Sequence, residues 1–177
     1  VMLTGTVNIA YAKTNDLSAE FLGKSYDAAS YKTDNNALAS SIDVLGEGAE
    51  FVGKTYVHTS LMFDELADEC KLTLGNDTGV FAEAALKPSA DGAELYIGGS
   101  KRADVLSGLW LDVQMMYDTA KSETRIVVSD YGSVIADETA AVSGEPLSAV
   151  RLNPGSGSTV YAKDITVKRS VVSSDGE

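Results

Sequence analysis

Cysteine occurs once in this chain, at Cys70, histidine once, at His58, tryptophan once, at Trp110, and proline three times. A lone thiol excludes an internal disulfide, and it fits the cytosol as well as exported modules that do without disulfides. With one histidine and one cysteine, no pair stands at zinc-ligand spacing. No run of eighteen apolar residues is present, so nothing reads as a membrane span. Positive charge is also short: 14 Lys+Arg stand against 26 Asp+Glu, for a formal net charge of −12. A surface that acidic, with no Lys/Arg cluster to offset it, repels nucleic-acid phosphates, anionic lipids and polyuronic acids not bridged by calcium. Neutral ligands are untouched by that argument.

What the chain has in quantity is short alternation. Hydrophobic residues make up 44% of 177 residues, enough for one core, and the length suits a single domain over 1–172 with 173–177 as the start of a linker. No signal peptide is visible at Val1 and both ends are abrupt, which reads as a monomeric module cut from a larger chain. Period-two runs between Gly, Asn, Asp and Ser turns predict strands over Val7–Tyr11, Leu38–Leu45, Thr55–Phe63, Lys71–Leu74, Val80–Leu86, Glu94–Ile97, Leu109–Tyr117, Thr124–Ser129, Ala149–Leu152 and Tyr161–Lys168. Helix is scarce. Leu17–Leu22, with Asn15 or Asp16 as N-cap and Gly23 as a stop, gives a turn or two, and Asp64–Cys70 is a second short candidate. Such a pattern is that of an all-β, antiparallel β-sandwich.

Alternation also sorts side chains onto faces, because successive strand residues point to opposite sides. Val57, Thr59, Leu61 and Phe63 share one face, and Tyr56, His58, Ser60 and Met62 the other. Val80, Ala82, Ala84 and Leu86 pattern as buried, which turns Phe81 and Glu83 outward; Leu95 and Ile97 go in and Tyr96 out. Leu111, Val113, Met115 and Tyr117 form an apolar set opposite Trp110, Asp112, Gln114 and Met116, while Arg125 faces away from Ile126 and Val128. Short connections make one antiparallel meander the simplest arrangement. A single outward face is therefore expected to carry Tyr56, His58, Phe81, Glu83, Tyr96, Trp110, Asp112, Gln114 and Arg125. Rings mixed with carboxylate, amide and guanidinium groups suit a sugar, whose apolar face stacks while its hydroxyls bond. Were a loop or helix to fill that groove, the site would move to the loop edge, where Tyr26, Tyr31 and Tyr131 are the aromatics.

Three stretches carry a resemblance to a known family: Gly108-Leu109-Trp110-Leu111-Asp112-Val113-Gln114-Met115-Met116-Tyr117-Asp118, then Thr124-Arg125-Ile126-Val127-Val128-Ser129-Asp130-Tyr131-Gly132, and the closing Val160-Tyr161-Ala162-Lys163-Asp164-Ile165-Thr166-Val167. Over Tyr56 to Lys168 the chain resembles the concanavalin A-like lectin/glucanase superfamily, above all the carbohydrate-binding modules of bacterial polysaccharide-degrading enzymes. That resemblance implies a jelly-roll sandwich at the cell surface or outside the cell. At the place of Asp164 in the closing strand, the resemblance implies an aspartate that helps hold one structural Ca2+ or pins the terminus; by composition, the Asp/Asn-rich loops Thr33-Asp34-Asn35-Asn36 and Gly75-Asn76-Asp77-Thr78 are the further sources of oxygen ligands.

The family's catalytic patterns are missing. Its retaining hydrolases carry Glu-x-Asp-x-x-Glu along one strand; here the nearest cluster, Asp64-Glu65-x-x-Asp68-Glu69, follows a strand and reads as a solvated turn. Of the lyase-like motifs only the fragment Tyr161-Ala162-Lys163-Asp164 is present. Glu83 and Asp112 remain as an acid pair on the expected face. The reading is thus a non-catalytic module binding a neutral plant-type polysaccharide such as a β-glucan, xylan or mannan. The alternatives are a glycoside hydrolase or polysaccharide lyase on the same fold, or a protein-binding adhesion or scaffold module.

Overall fold

The computed structural model describes residues 16–21 and 26–170. Twelve strands run through the described residues: β1 Tyr26–Tyr31, β2 Ile42–Asp43, β3 Lys54–Glu65, β4 Cys70–Asn76, β5 Gly79–Ser89, β6 Gly92–Ile97, β7 Ser100–Val105, β8 Leu111–Asp118, β9 Glu123–Asp130, β10 Ser133–Ala141, β11 Ala149–Asn153 and β12 Thr159–Ser170. A short 3-10 helix, Leu17–Phe21, precedes them. The strands form two six-stranded antiparallel sheets, β1-β12-β3-β8-β9-β10 and β2-β11-β4-β5-β6-β7. No described helix is long and apolar enough to cross a membrane.

The core lies between the sheets and is built from the inward rows that alternation assigned. Val57, Leu61 and Phe63 of β3, Leu111, Val113, Met115 and Tyr117 of β8, and Ile126 and Val128 of β9 meet Leu72, Leu74, Ala82, Ala84, Leu86, Leu95 and Ile97 from the second sheet. Burying each of the larger side chains contributes about 1.5–3 kcal/mol. Thr59 is fully buried in an inward row, and its hydroxyl donates to the Lys163 carbonyl (3.0 Å), so the polar group is satisfied. Cys70 packs as a small hydrophobe, and burial pushes its thiol pKa up to about 12.

Several expectations are corrected. The strands do not form one meander: β4 to β7 lie in the second sheet and β8 to β10 in the first, so the chain changes sheet after β3 and again after β7. Within β5 the pairing runs Leu74↔Ala82 and then Gly75↔Val80, leaving Phe81 as an inserted bulge residue. A bulge breaks the alternation, so Phe81 turns inward against Tyr117 (ring centres 5.0 Å apart) and Val80 is 60% exposed. Only Ile42–Asp43 of the expected Leu38–Leu45 strand is paired, and Asp64–Cys70 is the end of β3, a turn and the start of β4 rather than helix. Alternation did not disclose β1, β7 and β10. The first is a Tyr-Asp-Ala-Ala-Ser-Tyr edge, the second a polar edge, and the third carries a register shift between Val134 and Ala136. The expected Val7–Tyr11 strand, the Gly23 stop and the 173–177 linker lie outside the described residues.

Candidate functional site

Change of sheet divides the expected face in three. Tyr56, His58, Asp112, Gln114 and Arg125 lie on the solvent side of the first sheet, with Trp110 immediately before β8 at the same side. Glu83 and Tyr96 lie on the solvent side of the second sheet, facing away from the others across two sheets packed about 10 Å apart. Phe81 is in neither; half-buried, it packs against the edge of the core. The outer face of the second sheet also satisfies its own groups. Lys87 Nζ stands 4.0 Å from the Tyr96 ring centre, the Tyr96 phenol donates to Glu94 (3.3 Å), and hydrogen bonds from Lys71 and Lys87 hold the Glu69 carboxyl below its usual range.

The outer face of the first sheet is differently made. Strand register sets His58 beside Gln114 and Ser60 beside Asp112, with Lys163 on the far side of Ser60 and Thr166 on the far side of His58. Asp112 Oδ1 accepts from Ser60 Oγ (2.8 Å) and lies 2.7 Å from His58 Nε2. A carboxylate oxygen only accepts, so Nε2 carries the proton. Both bonds go to Oδ1, and no described residue bonds Oδ2. Trp110 is half-buried, with Lys163 Nζ 4.1 Å from its ring centre. Arg125 is already forked onto Asp137, through Nε (3.0 Å) and an NH2 (2.8 Å).

Tyr56 faces outward yet is only 4% exposed, because the short helix covers it: Leu17 packs on Tyr56, Met116 and Val127, and its amide donates to Gln114 Oε1 (2.8 Å). Burial raises the Tyr56 phenol pKa, with the Asp16 and Asp112 carboxylates adding to the effect. Between helix and sheet remains a hollow of about 330 Å3 lined by Asp16, Ser18, Tyr56, His58, Asp112, Gln114, Thr166 and Lys168. The helix thus fills part of the expected groove and walls the rest. Of the aromatics expected at the loop edge, Tyr131 lies in the turn between β9 and β10, whereas Tyr26 and Tyr31 are the two ends of strand β1; all three are exposed, and Lys168 Nζ lies 4.9 Å from the Tyr26 ring centre.

Sequence reasoning missed Lys163, Thr166 and Lys168. Lys163 was readable, since Val160 and Ala162 are plainly inward; the other two follow a bulge in which Asp164 and Ile165 oppose a single partner residue. Asp16 and Ser18 had a helix-start signal but none for where the helix docks.

This donor set does not fit a calcium ion. Asp164 is an exposed bulge residue with φ +29°, Asp34 bonds the Asn36 amide and side chain, and Asn76 Oδ1 takes the Thr78 amide and hydroxyl. Among the described residues no three His, Cys, Asp or Glu group where they could hold a metal. Nor does the site form a Ser-His-Asp relay, since Ser60 bonds Asp112 and not His58. Glu83 and Asp112, the acid pair left open by the sequence, lie on opposite faces and cannot flank one glycosidic bond. A larger hollow of about 790 Å3 beside β2 and β11 is lined chiefly by charged and polar residues, Asp43, Glu47, Glu50, Asn76, Asp77 and Arg151 among them, with no aromatic ring for stacking.

No family model matches the chain and no curated protein matches it. Among solved structures, a legume lectin-like domain from Entamoeba histolytica aligns at TM-score 0.52 and 12% identity, over 82% of this chain and 90% of that one. The CBM2 module of the Lactobacillus casei BL23 phage J-1 evolved Dit aligns at TM-score 0.48 and 13% identity, over 72% and 67%. A sialidase aligns at TM-score 0.49 and 10% identity over 82% of this chain, which spans only 15% of that enzyme. Two antiparallel sheets in this order, superposable on a legume lectin-like domain, make the fold that of the concanavalin A-like jelly roll.

Proposed function

We propose that the chain is a non-catalytic carbohydrate-binding module whose first-sheet outer face takes an internal stretch of a neutral polysaccharide. One observation carries this: a half-buried indole, Trp110, with Lys163 over its ring, stands two residues before a carboxylate, Asp112, that is fixed on one oxygen by His58 and Ser60 and bonded on the other by no described residue. An indole suits the apolar face of a pyranose, and a fixed carboxylate accepts from its hydroxyls. The hollow sets two carboxylates, Asp16 and Asp112, against one ammonium, Lys168, which favours an uncharged ring over a carboxylated one. The lectin-like fold agrees with this reading. Plant-type β-glucans, xylans and mannans are the ligands to try, and the role is to hold a larger, exported polysaccharide-degrading chain at its substrate. No calcium ion enters this account.

Affinity electrophoresis across those polymers, run beside a reducing-end assay, tests it. Retardation by at least one neutral polymer with no product release is expected. Sustained product release that vanishes in Asp112→Asn would establish an enzyme instead.

A further inference from the structure

The helix at Leu17–Phe21 is docked on the solvent side of a sheet whose other side already holds the core. Leu17 is 1% exposed there, in a cluster of its own with Tyr56, Met116 and Val127, and Val134 at its margin. Its amide reaches Gln114, 97 positions away in the chain. Asp16 caps the helix: its Oδ1 accepts the Ser18 amide (3.0 Å) and the Ser18 hydroxyl (2.6 Å). Neither bond uses Asp16 Oδ2, and no described residue bonds it. So two carboxylates border one hollow, Asp16 from the helix and Asp112 from β8, and each spends one oxygen on fixing itself and has a second that no described residue bonds.

From this arrangement we infer that the helix is a working wall of the binding site: Leu17 anchors it, and Asp16 and Ser18 contact the ligand. This rests on the sugar-binding reading and narrows it. The hollow takes a ring that offers hydroxyl donors on two sides, one to Asp16 Oδ2 and one to Asp112 Oδ2, while Trp110 lies beyond it for a neighbouring ring. A ring bearing a carboxylate on either side meets like charge and is rejected.

The test uses the whole chain and titrates soluble mixed-linkage β-glucan, xylan, galactomannan and polygalacturonate against the parent, Leu17→Asp and Asp16→Asn. Asparagine caps a helix as well as aspartate, so Asp16→Asn keeps the wall and removes its charge. Leu17→Asp is expected to detach the wall and weaken binding of the neutral polymer by tenfold or more. Asp16→Asn should weaken it about tenfold or more, the loss of one hydrogen bond to a charged group, with an unchanged urea midpoint. Equal binding by parent and Asp16→Asn, or tighter binding by Leu17→Asp, would overturn the inference while leaving the sugar-binding reading intact. A parent that binds none of the neutral polymers, or prefers polygalacturonate, sinks both.

Discussion

Phe81→Ala separates the structure from simple alternation more sharply than any other single change. Alternation alone puts Phe81 on an open face, where truncation costs at most a few tenths of a kcal/mol. The β5 bulge instead turns the ring against Tyr117, with centres 5.0 Å apart and planes inclined by 30°. A fully buried Phe truncated to Ala costs about 3–5 kcal/mol. Phe81 is half-buried, so about half of that, ~2 kcal/mol, is transfer and cavity, and the lost ring pair adds about 0.5–1.5 kcal/mol. The sum, about 2.5–3.5 kcal/mol, is a large part of the 5–15 kcal/mol that holds a domain folded, and lowers Tm by roughly 5–14 °C at this length. Urea unfolding followed by fluorescence of Trp110, the single tryptophan, reads it directly. A midpoint within error of the parent's, together with weakened glycan binding, would refute the inward placement. Glu83→Ala, two residues on, should leave both stability and binding unchanged.

Val113→Ala leaves a cavity at a 3% exposed core position and should cost about 2 kcal/mol, read from the same urea curves. Gly75→Ala should destabilise by several kcal/mol or prevent folding, because a Cβ there would sit 2.3 Å from the Gly79 carbonyl oxygen; circular dichroism checks this. The Cys70 thiol, buried and with its pKa pushed up to about 12, should resist a disulfide reagent at pH 8 in the native protein and react once urea unfolds it.

Strands whose alternation is clean were legible almost to their ends. Thr55–Phe63 corresponds to Lys54–Glu65 and Thr124–Ser129 to Glu123–Asp130, because burial of one face writes itself into every second residue. Which sheet a strand joins is not written there, since both sheets bury the same kind of row. That information sits in the turns after Glu65 and after Val105, which look like any other turn. Alternation therefore groups Tyr96 and Glu83 with Trp110 and Asp112, although they face the opposite way. Phe81 and Thr166 escape the pattern for a second reason: an inserted residue shifts the period, and nothing local marks the insertion. The cap at Asp16 was readable from composition, whereas the docking of Leu17 against Gln114 is a tertiary contact beyond the reach of local pattern.

The central claim, that the first sheet's outer face binds glycan and the second sheet's does not, is tested most directly by comparing Trp110→Ala with Tyr96→Ala. Isothermal titration with the neutral polymer that retards the parent gives the affinities, and urea midpoints confirm that both variants fold. The account requires Trp110→Ala to lose about 1.5 kcal/mol of stacking, roughly tenfold in Kd, and Tyr96→Ala to bind like the parent. Loss of binding in Tyr96→Ala with Trp110→Ala unaffected would contradict it and move the site to the other side of the sandwich.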